Sequence, residues 1–82
     1  MAHQYTFRVE DVTCEKCDTR IHAALASLPG AQQIEYLRTP RDEAEITFVS
    51  SEHVPRHVIE EAIAAKSAGT THTYRVRWTP AP

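Results

Sequence analysis

The apolar and polar residues of this chain follow two different periods. Four short segments alternate between apolar and polar positions, which is typical of half-buried strands, and they cover residues 5–10, 33–38, 43–49 and 74–78. Two longer segments, residues 14–28 and 55–66, repeat their apolar positions every three or four residues, which is typical of amphipathic helices. The pattern therefore predicts the order strand, helix, strand, strand, helix, strand.

The first helix has the clearest boundaries. Its predicted buried stripe consists of Cys17, Ile21, Ala24, Leu25 and Leu28. Thr13 is a suitable N-cap for a helix that begins near Cys14, and the pair Pro29-Gly30 ends it. Pro55 is predicted to lie in the first turn of the second helix, where its missing N–H costs nothing.

Two β-α-β halves in this order predict an α+β fold of the ferredoxin-like type. Such a fold has the order β-α-β-β-α-β and one four-stranded antiparallel sheet, with both helices on one face. We expect residues 1–79 to form a single domain. The proline-containing residues 80–82 are expected to be a tail or the start of a linker.

The composition excludes several classes of function. Hydrophobic residues make up 41% of the chain and charged residues 24%, as in ordinary globular domains. A net charge of −2 provides no basic surface for nucleic acid. No apolar run reaches the roughly 20 residues that a membrane span requires, and the N-terminus has no secretory signal pattern. We therefore expect a cytoplasmic protein.

The candidate chemistry lies at the only two cysteines, Cys14 and Cys17, which are two residues apart at the start of the first helix. A disulfide here would close too small a loop to add much stability, so a reduced pair is expected. Thiolates are preferred ligands of Cu(I) and also bind Zn(II), Cd(II) and Hg(II). Two ligands suit Cu(I) but leave Zn(II) short of its usual four. The pair is therefore predicted to bind Cu(I), with the other three ions as alternatives.

The two cysteines are predicted to differ. Cys17 lies within the first helical turn, so the helix N-terminus should stabilise its thiolate more strongly. Cys14, in the loop, should be more exposed and should meet an incoming partner first. Burial of both as core residues is the alternative; it suits Cys17 but not Cys14, whose loop is polar.

Among the five histidines, only His72 is predicted to lie near the cysteine loop. The sequence leaves open whether His72 or Lys66 contributes to the site. Asp11 and Glu15 flank the cysteines and could steer a basic partner.

From Tyr5 to Trp78 the chain resembles the heavy-metal-associated domain family. The resemblance is carried by the strand before Thr13-Cys14-Glu15-Lys16-Cys17, by the apolar positions of the helix that follows, and by the order of elements. The family includes cytosolic copper chaperones, the N-terminal metal-binding domains of soft-metal P-type ATPases, and mercury-scavenging proteins. The resemblance implies a metal carrier that is not itself an enzyme.

The same resemblance implies Cys14 and Cys17 as the metal ligands. The implied partner is a metal-transporting P-type ATPase or its metal-binding domain, and this chain is either a free chaperone or such a domain itself. A homodimer bridged by metal between two facing cysteine loops remains open.

The chain departs from the family pattern in two loops. The family usually has Gly-Met before Thr-Cys, where this chain has Asp11 and Val12. Val12 should still fill the core site of the methionine, and the Asp11 charge favours an ion of higher charge than Cu(I). Copper chaperones often have Lys or Tyr after the glycine that precedes the last strand, where this chain has Thr70 after Gly69.

Two other functions compete with metal carriage. One is thiol–disulfide oxidoreductase activity with Cys14 as nucleophile, although the motif lacks a Trp-Cys-Gly-Pro context and the element order is not that of a thioredoxin unit. The other is a regulatory interaction domain in which the cysteines have no role.

Overall fold

The computed structural model describes residues 2–78, and the predicted domain end at residue 79 and tail at residues 80–82 lie outside them. The elements occur in the predicted order. They are β1 (His3–Glu10), α1 (Glu15–Ala26), β2 (Ala31–Arg38), β3 (Glu43–Ser50), α2 (Arg56–Ala65) and β4 (Arg75–Trp78).

The four strands form one antiparallel sheet in the order β2-β3-β1-β4, which confirms the predicted ferredoxin-like fold. At one end of the sheet, Glu10 lies opposite both Glu43 on β3 and Arg75 on β4. Because β1 pairs with β4, the loop after β1 lies beside the loop that leads into β4. This end of the sheet carries the cysteines.

The core lies between the sheet and the two helices. Phe7 of β1 and Phe48 of β3 face the helices and are fully buried, together with Ile21 of α1 and Ile59 of α2. Burying each such side chain contributes roughly 1.5–3 kcal/mol. Leu37, which points the other way on β2, is 62% exposed. Both helices therefore cover the same face, as the alternation predicts.

Both predicted helix starts are wrong by one residue. Cys14, rather than Thr13, is the N-cap of α1, because its backbone is extended (φ −152°) while its carbonyl accepts the N–H groups of Cys17 (3.1 Å) and Asp18 (3.3 Å). Pro55 is the N-cap of α2 and lies just before the first turn. Within residues 2–78, neither helix is long and apolar enough to cross a membrane.

The first turn of α1 is fixed against the sheet by β2. The Tyr36 hydroxyl donates a hydrogen bond of 2.6 Å to Asp18, whose carboxylate also lies 3.7 Å from the Arg38 guanidinium. Burial, together with this hydrogen bond, strongly raises the pKa of Tyr36, so its hydroxyl stays a donor at neutral pH. These contacts hold the residue next to Cys17 in place.

Candidate metal site

The loop that carries the cysteines begins with a sharp turn at Asp11. Its φ of +65° lies in the left-handed region, which aspartate tolerates better than most residues. The next residue, Val12, is fully buried and donates its N–H to the Asp42 carbonyl at 2.9 Å. Val12 thus fills a core site, as predicted, and fixes the loop to the β2–β3 hairpin.

The two sulfurs lie together at the N-terminus of α1. Cys14 Sγ and Cys17 Sγ are 3.3 Å apart, and neither cysteine forms a disulfide. Cys17 is fully buried on the core side of the helix, whereas Cys14 is partly exposed at the N-cap. The predicted difference in exposure is therefore confirmed, and one sulfur of the pair is open to a partner.

The pKa of the Cys17 thiol is lowered from 9.0 to about 7. Burial raises this pKa, but hydrogen bonds to the sulfur more than compensate. The largest of these lowering effects comes from the Tyr74 hydroxyl; the backbone of Thr13 and both the side chain and backbone of Cys14 add to it. The sequence predicts a stabilised thiolate at Cys17, but the group that lowers its pKa most, the Tyr74 hydroxyl, lies in the loop before β4.

Tyr74, predicted as the first residue of the last strand, lies just before β4 and belongs to the site. It is 3% exposed, and its hydroxyl accepts an N–H from the Arg20 guanidinium at 3.2 Å. Burial raises the pKa of Tyr74, as does its hydrogen bond to Cys17, so the hydroxyl remains protonated and donates to the sulfur. The pairing of β1 with β4 is the signal that could have placed Tyr74 here.

Removing the Tyr74 hydroxyl should raise the pKa of Cys17. In Tyr74→Phe, burial is no longer offset by the strongest donor, so we expect the midpoint of thiolate formation to move upward from about 7. Ultraviolet thiolate absorbance of the reduced, metal-free chain against pH measures this midpoint. Tyr5→Phe is the matched control, because the Tyr5 hydroxyl accepts the Val54 N–H at 2.8 Å and does not contact the cysteines. Equal midpoints in the two variants would contradict the assignment.

The lowered pKa also makes stability depend on pH with a defined sign. Because the pKa of Cys17 in the folded chain, about 7, lies below its ordinary value of 9.0, ionisation of Cys17 favours the folded state. This contribution is complete above pH 9.0 and is lost as the pH falls through about 7. The free energy of unfolding of the reduced, metal-free chain should therefore lose this contribution as the pH falls through about 7.

The loop before β4 brings His72 to the sulfurs, as predicted. One ring nitrogen of His72, Cys14 Sγ and Cys17 Sγ all lie within 4.8 Å of one another. Among residues 2–78, no second group of three such ligand atoms comes together. Lys66, the other side chain left open by the sequence, is exposed at the C-cap of α2.

Asp11 joins the two loops of the site. Its carboxylate accepts the Thr73 N–H at 2.8 Å and lies 3.6 Å from His72 Nδ1. The sequence treats Asp11 as a flanking charge that could steer a partner, but in the structure its carboxylate has partners within the chain. Glu15 and Lys16, by contrast, are exposed.

The donor set has a definite chemical character. Two sulfurs and an imidazole nitrogen are the soft and borderline ligands that suit Cu(I), Zn(II) and related ions, rather than Mg²⁺ or Ca²⁺. The partial exposure of Cys14 leaves one side of the group accessible. The arrangement can hold a soft metal ion and admit a further ligand from outside.

Comparison with known proteins agrees with this chemistry. The sequence pattern of the heavy-metal-associated domain matches residues 6–69, which include both cysteines but end before His72 and Tyr74. No curated protein and no solved structure gives a significant match. Domains of this kind are heavy-metal-binding modules, and the match covers most of the chain. The chain belongs to the heavy-metal-associated domain family.

Proposed function

We propose that this domain carries Cu(I) on the thiolates of Cys14 and Cys17 and passes the ion to a partner. The observation that supports this most directly is the pair of free sulfurs 3.3 Å apart, one buried and one partly exposed. Two thiolates satisfy Cu(I), whereas Zn(II) usually takes four ligands. Cd(II) and Hg(II) are the other soft ions that this pair of ligands suits.

The difference between the sulfurs suggests how transfer proceeds. A thiolate of the partner enters as a third ligand on the exposed side, and Cys14 then leaves the ion first. Cys17, which is buried and hydrogen-bonded, keeps the ion until a second partner sulfur replaces it. The metal is cargo, so no bond of the protein itself is made or broken beyond ligand exchange.

A partner with its own pair of cysteines fits this exchange. Such a partner is a metal-transporting P-type ATPase or its metal-binding domain, and this chain acts either as a separate chaperone or as one such domain. A reducing compartment such as the cytoplasm would keep both thiols available.

Binding rather than redox catalysis is favoured by the position of the stabilised thiolate. A catalytic thiolate must be accessible to its substrate, yet the thiol with the lowered pKa, Cys17, is fully buried. We therefore propose that the domain is not an enzyme by itself.

Competition and exchange kinetics test the proposal. The reduced chain is incubated without oxygen with equal Cu(I) and Zn(II), and each ion is then assayed with a chromogenic chelator. We expect one Cu(I) per chain and little Zn(II) while Cu(I) is present. Transfer of Cu(I) to dithiothreitol should accelerate with dithiothreitol concentration, because the acceptor enters before Cys14 leaves. A preference for Zn(II), or a rate independent of the acceptor, would contradict the proposal.

A further inference from the structure

The imidazole of His72 lies close enough to the two sulfurs to reach the same metal ion. With metal–sulfur bonds of about 2.3 Å and a metal–nitrogen bond of about 2.0 Å, a tetrahedral site separates sulfur from nitrogen by roughly 3.5 Å. The ring nitrogen of His72 already lies within 4.8 Å of both sulfurs. Side-chain rotations that move these atoms by about 1 Å would therefore bring all three to one metal ion.

Asp11 is placed to orient the imidazole. Its carboxylate faces His72 Nδ1 at 3.6 Å, which favours a proton on Nδ1 and leaves the lone pair on Nε2. Metal-binding histidines commonly have their second ring nitrogen beside a carboxylate in this manner. The ring also stacks on Tyr74, with centroids 5.8 Å apart and planes 15° apart. Two neighbours thus limit how the imidazole can turn.

The backbone around His72 is equally restrained. The Thr70 hydroxyl accepts the His72 N–H at 3.1 Å and donates to the Ser67 carbonyl at 2.7 Å, so the loop is fixed to the end of α2. On the other side, Asp11 accepts the N–H of Thr73 at 2.8 Å. Thr70, where copper chaperones often have Lys or Tyr, therefore positions the histidine loop.

The backbone of Asp11 is compatible with this role. Its φ of +65° lies in the left-handed region, which aspartate tolerates better than most residues with a side chain. At this turn the Asp11 carboxylate lies 3.6 Å from His72 Nδ1 and accepts the Thr73 N–H at 2.8 Å. These two contacts connect the Asp11 side chain to the histidine loop.

We propose that His72, positioned by Asp11, is a third ligand that lets the site hold divalent ions such as Zn(II) in addition to Cu(I). This inference rests on the proposed function, because it takes Cys14 and Cys17 as the other ligands. Imidazole suits Zn(II), and three protein ligands with one open position form an arrangement that Zn(II) accepts. Cu(I) needs only the two thiolates, so it gains less from His72.

The test compares Zn(II) and Cu(I) affinities, each ion alone, in the reduced chain and its variants. His72→Ala should weaken Zn(II) binding by at least about 10-fold and change Cu(I) binding by less than that. Asp11→Asn, which tolerates the left-handed backbone but lacks the charge, should weaken Zn(II) binding by a smaller factor. His57→Ala is the matched control, because His57 is exposed in the first turn of α2.

Nuclear magnetic resonance of the wild-type chain provides a readout that requires no variant. Long-range proton–nitrogen spectra should show the His72 proton on Nδ1 and a large shift of Nε2 on addition of Zn(II). If that nitrogen does not shift and His72→Ala binds Zn(II) like His57→Ala, the third-ligand assignment is overturned while the dithiolate carrier stands. The proposed function is overturned, and this inference with it, if the wild-type chain binds neither ion. The same follows if a variant with serine in place of both Cys14 and Cys17 still binds both ions.

Discussion

Replacement of both Cys14 and Cys17 by serine should abolish stoichiometric Cu(I) binding and leave the domain folded. A serine hydroxyl is a hard, protonated group at neutral pH and does not replace a thiolate as a ligand for Cu(I). At position 17, which is fully buried, the serine hydroxyl is a polar group in an apolar environment, which costs some stability. We therefore expect a loss of at most about 1–3 kcal/mol in stability beside a complete loss of the metal site.

Single replacements should have graded effects. Mutation of a residue that only orients a metal ligand reduces metal affinity by about 10–100-fold. Loss of one of the two thiolate ligands should therefore reduce the Cu(I) affinity by more than about 100-fold. Thr13→Ala is the matched control, because Thr13 is exposed in the same loop and its backbone, which the substitution retains, is the part that interacts with Cys17. Chelator competition measures each affinity, and circular dichroism checks the fold. One tightly bound Cu(I) per chain in the double serine variant would contradict the assignment.

Substitution of Gly30 by alanine should have the second largest effect, and on stability rather than metal binding. Gly30 has φ +69°, and an added Cβ would lie 2.9 Å from the backbone nitrogen of Glu52 and 2.9 Å from the Ser50 hydroxyl. That hydroxyl is fully buried; it donates to the Pro29 carbonyl at 2.8 Å and accepts the Glu52 N–H at 3.1 Å. The Cβ therefore meets atoms that cannot move freely.

Gly69→Ala is the matched control for this substitution. Gly69 has a similar φ of +77°, but nothing lies within 4 Å of its added Cβ. Gly69→Ala should lower the free energy of unfolding by about 1–2 kcal/mol through backbone strain alone. Gly30→Ala should lower it by a further ~1–3 kcal/mol through overpacking. Chemical denaturation measures both. Equal losses in the two variants would show that the crowding around Gly30 is relieved without cost.

The Gly30 region and the cysteines lie at opposite ends of the sheet. Gly30 immediately precedes β2, which starts opposite Ser50, whereas the cysteine loop follows Glu10 at the far end of β1. Gly30→Ala should therefore bind Cu(I) normally in whatever fraction remains folded. We therefore expect stability and metal affinity to vary independently in this domain.

The fold could be predicted from the sequence because its signals are local. Alternation along the strands, the apolar stripe of α1 and the Gly30 turn each arise from a few neighbouring residues. The errors in the predicted helix starts were small and also local. Cys14, rather than Thr13, is the N-cap of α1, because Cys14 is the extended residue and its carbonyl accepts the first helical N–H groups.

The site was predicted only in part, because some of its contacts join residues far apart in sequence. The spacing of the cysteines and the nearness of His72 follow from motif and topology. The hydrogen bond from Tyr74 to Cys17 and the contacts of Asp11 with Thr73 and His72 depend on side-chain positions across two loops. No periodicity in the sequence encodes such contacts.

X-ray absorption at the copper edge of the wild-type chain, loaded with one Cu(I), tests the central claim most directly. Carriage on Cys14 and Cys17 predicts sulfur neighbours of copper at bonding distance in the reduced chain. Their loss in the double serine variant would attribute them to these two residues. A spectrum of the wild-type chain that contains only nitrogen or oxygen neighbours would contradict the proposal that this domain carries Cu(I) on its two thiolates.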